Sequence, residues 1–224
     1  MARRSRFYTP RSLHANSVLV LDKNAAHHAT QVLRLKPEDA LVLFNGDGFD
    51  YAATLLSTGK QPQVAIGEKT LNHRESDFAI TLIQGISRSD KMDFTLQKSV
   101  ELGVAKIQPV FCARSILSVD EKRLRKKMQH WTAVIQSACE QSGRSVLPEL
   151  AAPQKLADYL QRPATSVSRW ILQPGASLTF GSIASPQSHA HLLIGPEGGF
   201  DAKEVELACV HGFAPVSLGP RVLR

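Results

Sequence analysis

The chain has 224 residues, which is room for one large domain or two small ones. Its 43% hydrophobic and 21% charged residues are ordinary globular proportions and exclude wholesale disorder. No run of residues approaches the ~20 apolar residues of a membrane-spanning helix. No long apolar segment follows the basic N-terminus, so we expect a cytoplasmic protein with no membrane anchor and no secretory signal.

The three cysteines, Cys112, Cys139 and Cys209, are odd in number and far apart in the sequence. Such spacing favours neither a disulfide framework nor a zinc site. We therefore expect reduced thiols packed as small apolar side chains and no bound metal.

The charge balance favours a polyanionic partner. The chain carries 27 Lys and Arg residues against 20 acidic ones, and several arginines come before Asp22, the first acid. The guanidinium fork matches phosphate oxygens, which predicts RNA contact for some of these basic residues. The predicted RNA-binding residues are Arg4, Arg6, Arg34, Lys36 and Arg144. The basic run Lys122–Lys127 is equally typical of a solvated helix face.

The first part of the chain, to about residue 70, has the pattern of short strands. Strands are predicted at 17–21, 40–44, 51–56 and 63–67, with a tight turn at Asn45–Gly48 and one helix over 25–35 that Asn24 caps. Several short strands with tight turns predict a small β-barrel-like module. The polar stretch Lys69–Asp77 has the composition of a linker.

Beyond Phe78, strand and helix patterns alternate. Strands are predicted at 79–83, 107–110, 170–172, 191–194 and 215–218, and helices at 90–102, 120–141, 154–160 and 201–211. This alternation predicts an α/β fold with a mostly parallel sheet and helices on both faces.

One segment combines an apolar strand, a glycine-rich turn and a helix start. Gly195, Gly198 and Gly199 allow a ligand to approach the backbone closely, and Asp201 with Glu204 has the spacing of a helix capping box. The glycine spacing is neither that of a dinucleotide fold nor that of a phosphate loop, and Glu197 would repel phosphate. At the carboxyl end of a parallel strand, such a loop predicts a cradle for a small molecule that can carry positive charge.

A second strand end repeats this arrangement. Leu218-Gly219-Pro220-Arg221 again places a Gly-Pro bend after a strand, now beside an arginine. The two bends can form two walls of one pocket, and the arginine can hold an anionic substrate or stabilise developing negative charge.

These motifs together resemble the 16S rRNA (uracil(1498)-N(3))-methyltransferase family, which belongs to the SPOUT, or trefoil-knot, methyltransferases. The similarity runs in order through essentially the whole chain. It rests on Arg6-Phe7, His27-His28 with Val32–Leu35, Lys91–Gly103, Glu140–Arg144, Gly195–Phe200 and Leu218–Arg224.

The resemblance implies an N-terminal PUA-like RNA-binding barrel, expected over residues 1–72, and a C-terminal SPOUT α/β-knot domain, expected over 73–224. It also implies a homodimer that binds S-adenosylmethionine (SAM) and methylates N3 of uridine 1498 in 16S rRNA of the small ribosomal subunit. In the family a further helix follows the motif that ends here at Arg224, so we expect that helix to be missing from this sequence.

A nearby positive charge would ease the loss of the uracil N3 proton, so we expect Arg221, with Arg6, to stabilise the uracil anion or its flanking phosphates. The resemblance itself implies a cofactor site. The residues expected to bind the cofactor are Leu172, Gln173, Gly195, Pro196, Glu197, Gly198, Gly199, Leu218, Gly219, Leu223 and Arg224.

Two other functions stay open at this point. The chain could be a non-catalytic RNA-binding factor for ribosome assembly with a degenerate or truncated cofactor site. A small-molecule enzyme without an RNA substrate agrees less well with the basic charge and the two modules.

Overall fold

A computed structural model describes residues 4–115, 120–163, 167–183 and 188–220 of the chain. The chain forms two compact units. The first consists of residues 1–75 together with 136–147, and the second of residues 76–135 together with 148–224.

The first unit contains a five-stranded mixed sheet. Its strands run in the order β1-β3-β4-β5-β2, with β1 parallel to β3 and the other neighbours antiparallel. Their bounds are Ser5–Tyr8 (β1), Ser17–Val20 (β2), Ala40–Phe44 (β3), Phe49–Leu55 (β4) and Gln63–Leu71 (β5). Helix α1, Lys23–His27, continues as a π-helical turn over His28–Val32. The barrel-like module predicted from the sequence is confirmed.

Alternation along β4 explains how this sheet forms its core. Tyr51, Ala53 and Leu55 are buried and the residues between them are partly exposed, as a strand with one face on a core requires. The predicted helix over 25–35 is present but with other bounds: the helical segment begins at Lys23 and ends at Val32, and its second half is π-helical. The predicted cap is wrong, because Asp22 precedes the helix and no side chain caps it.

The second unit contains a sheet in which every described strand pair is parallel. The strand order is β11-β13-β10-β12-β6-β7-β8, with β9 also beside β7. The strands are Ala79–Gly85 (β6), Lys106–Phe111 (β7), Glu149–Leu150 (β8), Gln154–Lys155 (β9), Ser168–Leu172 (β10), Leu178–Thr179 (β11), His189–Ile194 (β12) and Ala214–Ser217 (β13). The helices are Ser89–Glu101 (α2), Leu156–Leu160 (α4) and Ala202–Val210 (α5), together with the first part of Glu121–Ser142 (α3), whose residues from 136 onward belong to the first unit.

The centre of this sheet is fully buried. Ile83, Ile171 and Leu193, on three different strands, belong to one apolar cluster that also includes residues of α4 and α5. Strand β12 lies between β6 and β10, and the chain leaves β6 towards β7 but leaves β12 towards β13. Such a reversal of direction opens a crevice at the carboxyl ends of the strands. The predicted α/β fold class is confirmed.

Within the described part of the chain, no helix combines the length and the apolar character needed to cross a membrane.

Candidate active site

The two predicted walls lie at the carboxyl edge of the parallel sheet. Gly195 directly follows β12, Leu172 and Gln173 end and follow β10, and Leu218 and Gly219 follow β13. Strands β13, β10 and β12 are adjacent in the sheet, so these three segments share one edge. The predicted site residues Arg221, Leu223 and Arg224 lie outside the described residues.

A surface cavity of about 380 Å³ opens beside β10 and β13 at this edge. This volume is within the range of small-molecule sites. The lining residues are Pro174, Gly175, Ala176, Thr179, Ser217, Gly219 and Pro220. Leu218, between two of them, exposes 53% of its surface, so an apolar side chain is available to a ligand there.

The glycine-rich loop between β12 and α5 lies in close backbone contact with the end of β6. A Cβ atom added to Gly85 would stand 2.6 Å from both the nitrogen and Cδ of Pro196. A Cβ on Gly195 would stand 3.2 Å from the carbonyl carbon of Gly199 and from Cε2 of Phe200. Both distances are shorter than ordinary contacts. A residue with a Cβ at position 85 would therefore collide with its neighbours, and one at position 195 would crowd them, so both positions favour glycine.

A capping box sets the point where the loop ends and α5 begins, as predicted. The Asp201 carboxylate accepts a hydrogen bond from the backbone N–H of Glu204 at 2.7 Å. The Glu204 carboxylate in turn accepts one from the backbone N–H of Asp201 at 3.0 Å. Two N–H groups that the first helical turn leaves unpaired are thereby satisfied.

Three neighbouring groups that the sequence analysis did not select hold the loop. The side-chain amide of Gln84 donates to the carbonyl of Gly195 at 3.2 Å. The backbone N–H of Arg88 donates to Oε1 of Glu197 at 3.0 Å. The guanidinium of Arg114 donates to the carbonyl of Gly198 at 2.7 Å. All three lie within five residues of the ends of predicted strands, which is the signal that could have found them.

Glu197 thus bonds to the backbone of its own unit through one carboxylate oxygen. This contact ties the glycine-rich loop to the turn that starts α2. Contact of Glu197 with a cofactor stays a prediction.

Arg6, which is predicted to take part in catalysis and RNA binding, forms a largely buried ion pair with Asp50. Its side chain is 7% exposed and donates to both carboxylate oxygens of Asp50, at 2.8 and 2.9 Å. It also donates to the hydroxyl of Ser145 at 2.8 Å, and it lies 5.0 Å from the ring centroid of Phe44. Burial raises the pKa of Asp50, but hydrogen bonds from Arg6, Ser145 and Asn72 outweigh it, so the pKa lies below its ordinary value.

Arg144 is buried in a comparable way, with 4% of its side chain exposed. Its Nε and Nη2 donate to the two carboxylate oxygens of Glu75 at 3.0 and 2.6 Å. In this arrangement the charges of Arg6 and Arg144 are matched by carboxylates. Their contacts with RNA stay predictions.

The other predicted RNA-binding residues are exposed. Arg34 and Lys36 line a surface cavity of about 240 Å³ in the first unit, and Arg4 is exposed near the N-terminus. Arg34 has a φ of +54°, a left-handed conformation that is uncommon outside glycine. Exposed cations beside a concave surface agree with phosphate contact.

A histidine cluster lies at the opposite, amino end of β12. The hydroxyl of Tyr159 lies 3.2 Å from Nδ1 of His191, and His189 packs edge-on against the His191 ring. Burial lowers the pKa of His191 to about 4, with further lowering by His189, Arg169 and Lys106. The His191 ring is therefore neutral at neutral pH.

Comparison with known proteins gives matches over the whole chain. The family of RNA methyltransferase domains matches residues 74–224, and the family of RNA methyltransferase PUA domains matches residues 21–66. The Ribosomal RNA small subunit methyltransferase E of Buchnera aphidicola subsp. Schizaphis graminum is 34% identical over 98% of this chain and 89% of its own length. Its Bacillus subtilis counterpart is 30% identical over 88% of this chain and 81% of its own length.

Solved structures agree with these matches. A Legionella pneumophila protein in complex with the bound cofactor SAM is 39% identical, with a TM-score of 0.95 over 100% of this chain and 92% of that one. The Ribosomal RNA small subunit methyltransferase E from Neisseria gonorrhoeae, bound to S-adenosyl methionine, is 36% identical, with a TM-score of 0.92 over 99% and 92% of the two chains.

Proposed function

Because the chain belongs to the ribosomal RNA small subunit methyltransferase E family, we propose that it transfers a methyl group from SAM to N3 of uridine 1498 in 16S rRNA of the small ribosomal subunit. The observation that carries the proposal is the glycine-rich loop at the carboxyl edge of the parallel sheet, held against β6 and helix α5. Relatives named as methyltransferases and similar structures with bound SAM favour the enzyme over a non-catalytic assembly factor.

The residues at this edge fit SAM. Glycines 195, 198 and 199 present backbone groups without a Cβ in the way, and the cavity beside β10 and β13 has the volume of a small-molecule site. Leu172, Gln173, Leu218 and Gly219 border the same edge. They would hold the apolar and polar parts of the cofactor. When bound, SAM supplies an electrophilic methyl group.

Methylation of N3 requires that the uracil ring lose its N3 proton. A nearby positive charge favours the uracil anion and so eases this ionisation. We assign this role to Arg221, which follows the Gly-Pro bend after β13. Arg6 can share the role only if its ion pair with Asp50 opens, so Arg221 carries the assignment.

We further propose that the two parts of the chain have different roles. Residues 1–72 would bind RNA phosphates through Arg4, Arg34 and Lys36, and residues 73–224 would bind the cofactor and carry out the transfer. Contacts of this kind make RNA affinity fall as salt rises. The enzyme would act in the cytoplasm, where ribosomal subunits are assembled, as a homodimer.

The decisive experiment is methyl transfer from labelled SAM to small ribosomal subunits isolated from cells that lack this methylation. We expect label at N3 of a single uridine of 16S rRNA. We also expect a rise in the melting temperature with SAM, because a ligand that binds only the folded state stabilises it. A protein that binds the subunit but shows neither label nor a SAM-dependent rise would instead be an assembly factor.

Arg221→Ala tests the catalytic assignment. It should cut turnover and leave SAM affinity nearly intact, because the arginine is assigned to the uracil and not to the cofactor. Arg162→Met, a change at an exposed arginine after α4, serves as the control and should alter neither quantity. Equal loss of turnover and SAM affinity in the Arg221 variant would refute the role.

A further inference from the structure

We propose that Arg114 is a positioning residue that holds the glycine-rich loop in the shape that receives the cofactor. The inference rests on the proposed function only in naming SAM as the ligand of this loop. It adds a residue from the loop after β7, a segment to which neither the motifs nor the family matches assign a role.

Arg114 contacts Gly198 with both its charged end and its aliphatic stem. Nη1 donates a hydrogen bond of 2.7 Å to the carbonyl of Gly198. A Cβ added to Gly198 would lie 3.3 Å from Cβ and 3.4 Å from Cδ of Arg114. The arginine therefore lies directly along the glycine backbone. A side chain at position 198 would crowd the Arg114 stem.

The turn that carries Arg114 is itself fixed. The backbone N–H of Cys112 donates to the hydroxyl of Ser115 at 3.0 Å, and the N–H of Ser115 donates to the carbonyl of Cys112 at 2.9 Å. The N–H of Ala113 donates to Oε1 of Glu204 at 2.7 Å. Because Glu204 also forms the capping box of α5, the turn is tied to the helix that follows the glycine-rich loop. Arg114 thus extends from a turn anchored at one end of that loop to its middle.

Such a tether matters because the loop is rich in glycine. Glycine has the largest conformational freedom to lose when a loop is ordered, and a ligand that must order its own site binds more weakly. A hydrogen bond from a charged donor to Gly198 restricts this freedom before the cofactor arrives. Loss of the hydrogen bond should therefore weaken SAM binding about tenfold.

The test compares Arg114→Met with Arg114→Lys in the full chain. Methionine keeps an unbranched stem on Gly198 but cannot donate, whereas lysine keeps the stem, the charge and a donor. Two quantities are measured: SAM affinity by calorimetry, and amide hydrogen exchange of residues 195–200 in the cofactor-free protein. We expect Arg114→Met to weaken SAM binding about tenfold and to speed exchange in the loop. Arg114→Lys should recover part of both, and Arg162→Met should change neither.

Three results bear on the inference. If Arg114→Met leaves SAM affinity and loop exchange unchanged but weakens binding to the small ribosomal subunit, Arg114 is an RNA contact and the inference is wrong. If the unchanged protein binds no SAM, the proposed function fails, but the exchange of residues 195–200 still decides whether Arg114 orders the loop. Gly198→Ala provides an independent check, because its added methyl group would lie 3.3 Å from Cβ of Arg114 and would crowd the Arg114 stem. The effect of Gly198→Ala on amide hydrogen exchange in the loop should be smaller when Arg114 is also replaced by Ala. If the effects of the two substitutions simply add, the contact between Arg114 and Gly198 is contradicted.

Discussion

Gly85→Ala is the sharpest test of how the end of β6 and the glycine-rich loop are packed. The added Cβ would lie 2.6 Å from the nitrogen and Cδ of Pro196 and 2.9 Å from the carbonyl carbon of Gly195. These are backbone and ring atoms, which cannot rotate away as the end of a flexible side chain can. Overpacking of a tight site costs about 1–3 kcal/mol. The dissociation constant for SAM rises about tenfold for each 1.4 kcal/mol by which the substitution destabilises the cofactor-bound protein more than the cofactor-free protein.

We therefore expect Gly85→Ala to lower the free energy of unfolding by about 1–3 kcal/mol in a urea titration and to weaken SAM binding about tenfold or more. Gly181→Ala is the matched control, since among the described residues beyond its two chain neighbours no atom lies within 4 Å of its added Cβ, and its φ is not in the left-handed region. If Gly85→Ala is as stable and binds SAM as tightly as Gly181→Ala, the close approach of β6 to the loop does not exist in solution.

Three further predictions concern stability. Asp50→Asn should lower the free energy of unfolding by about 2–4 kcal/mol at neutral pH, because it leaves the buried Arg6 guanidinium without its counter-charge; an unchanged urea midpoint would contradict the ion pair. Folded His191 stays neutral down to a pKa of about 4, whereas the unfolded histidine protonates near 6.5, so stability should fall as pH drops through that window. His191→Gln should flatten this fall; a parallel pH profile would show that His191 is not its source. Glu204→Ala should cost about 1–2 kcal/mol by removing half of the capping box, and a loss below 0.3 kcal/mol would refute its role.

The parts of the fold that could be predicted are those set by local patterns. The apolar strand before Gly195 and the capping box at Asp201 and Glu204 are contiguous in sequence, so their physical meaning is visible without a structure. The carboxyl-edge position of the loop then follows from the parallel sheet. Strand β1 was missed because four residues in an arginine-rich segment carry too little periodicity, and its pairing with β3 is set by contacts far along the chain.

The surroundings of the arginines could not be predicted, because the residues that determine them are distant in sequence. Asp50, which pairs with Arg6, lies 44 residues away, and Glu75, which pairs with Arg144, lies 69 residues away. A basic residue beside polar neighbours looks the same in sequence whether it faces solvent or a buried carboxylate. Arg34 and Lys36, by contrast, lie in a short exposed segment where local composition alone indicates a solvated cation.

The same distinction explains why the glycine-rich loop could be found while its supports could not. The loop is recognisable because glycine is required where backbones approach closely, and the glycines themselves are visible in the sequence. The groups that hold it, Gln84, Arg88 and Arg114, each act through one hydrogen bond to a residue 84 to 111 positions away. A loop this rich in glycine has little intrinsic preference for one conformation. Its shape therefore depends on donors from the neighbouring strand ends, and substitutions there should alter cofactor affinity without touching the cofactor.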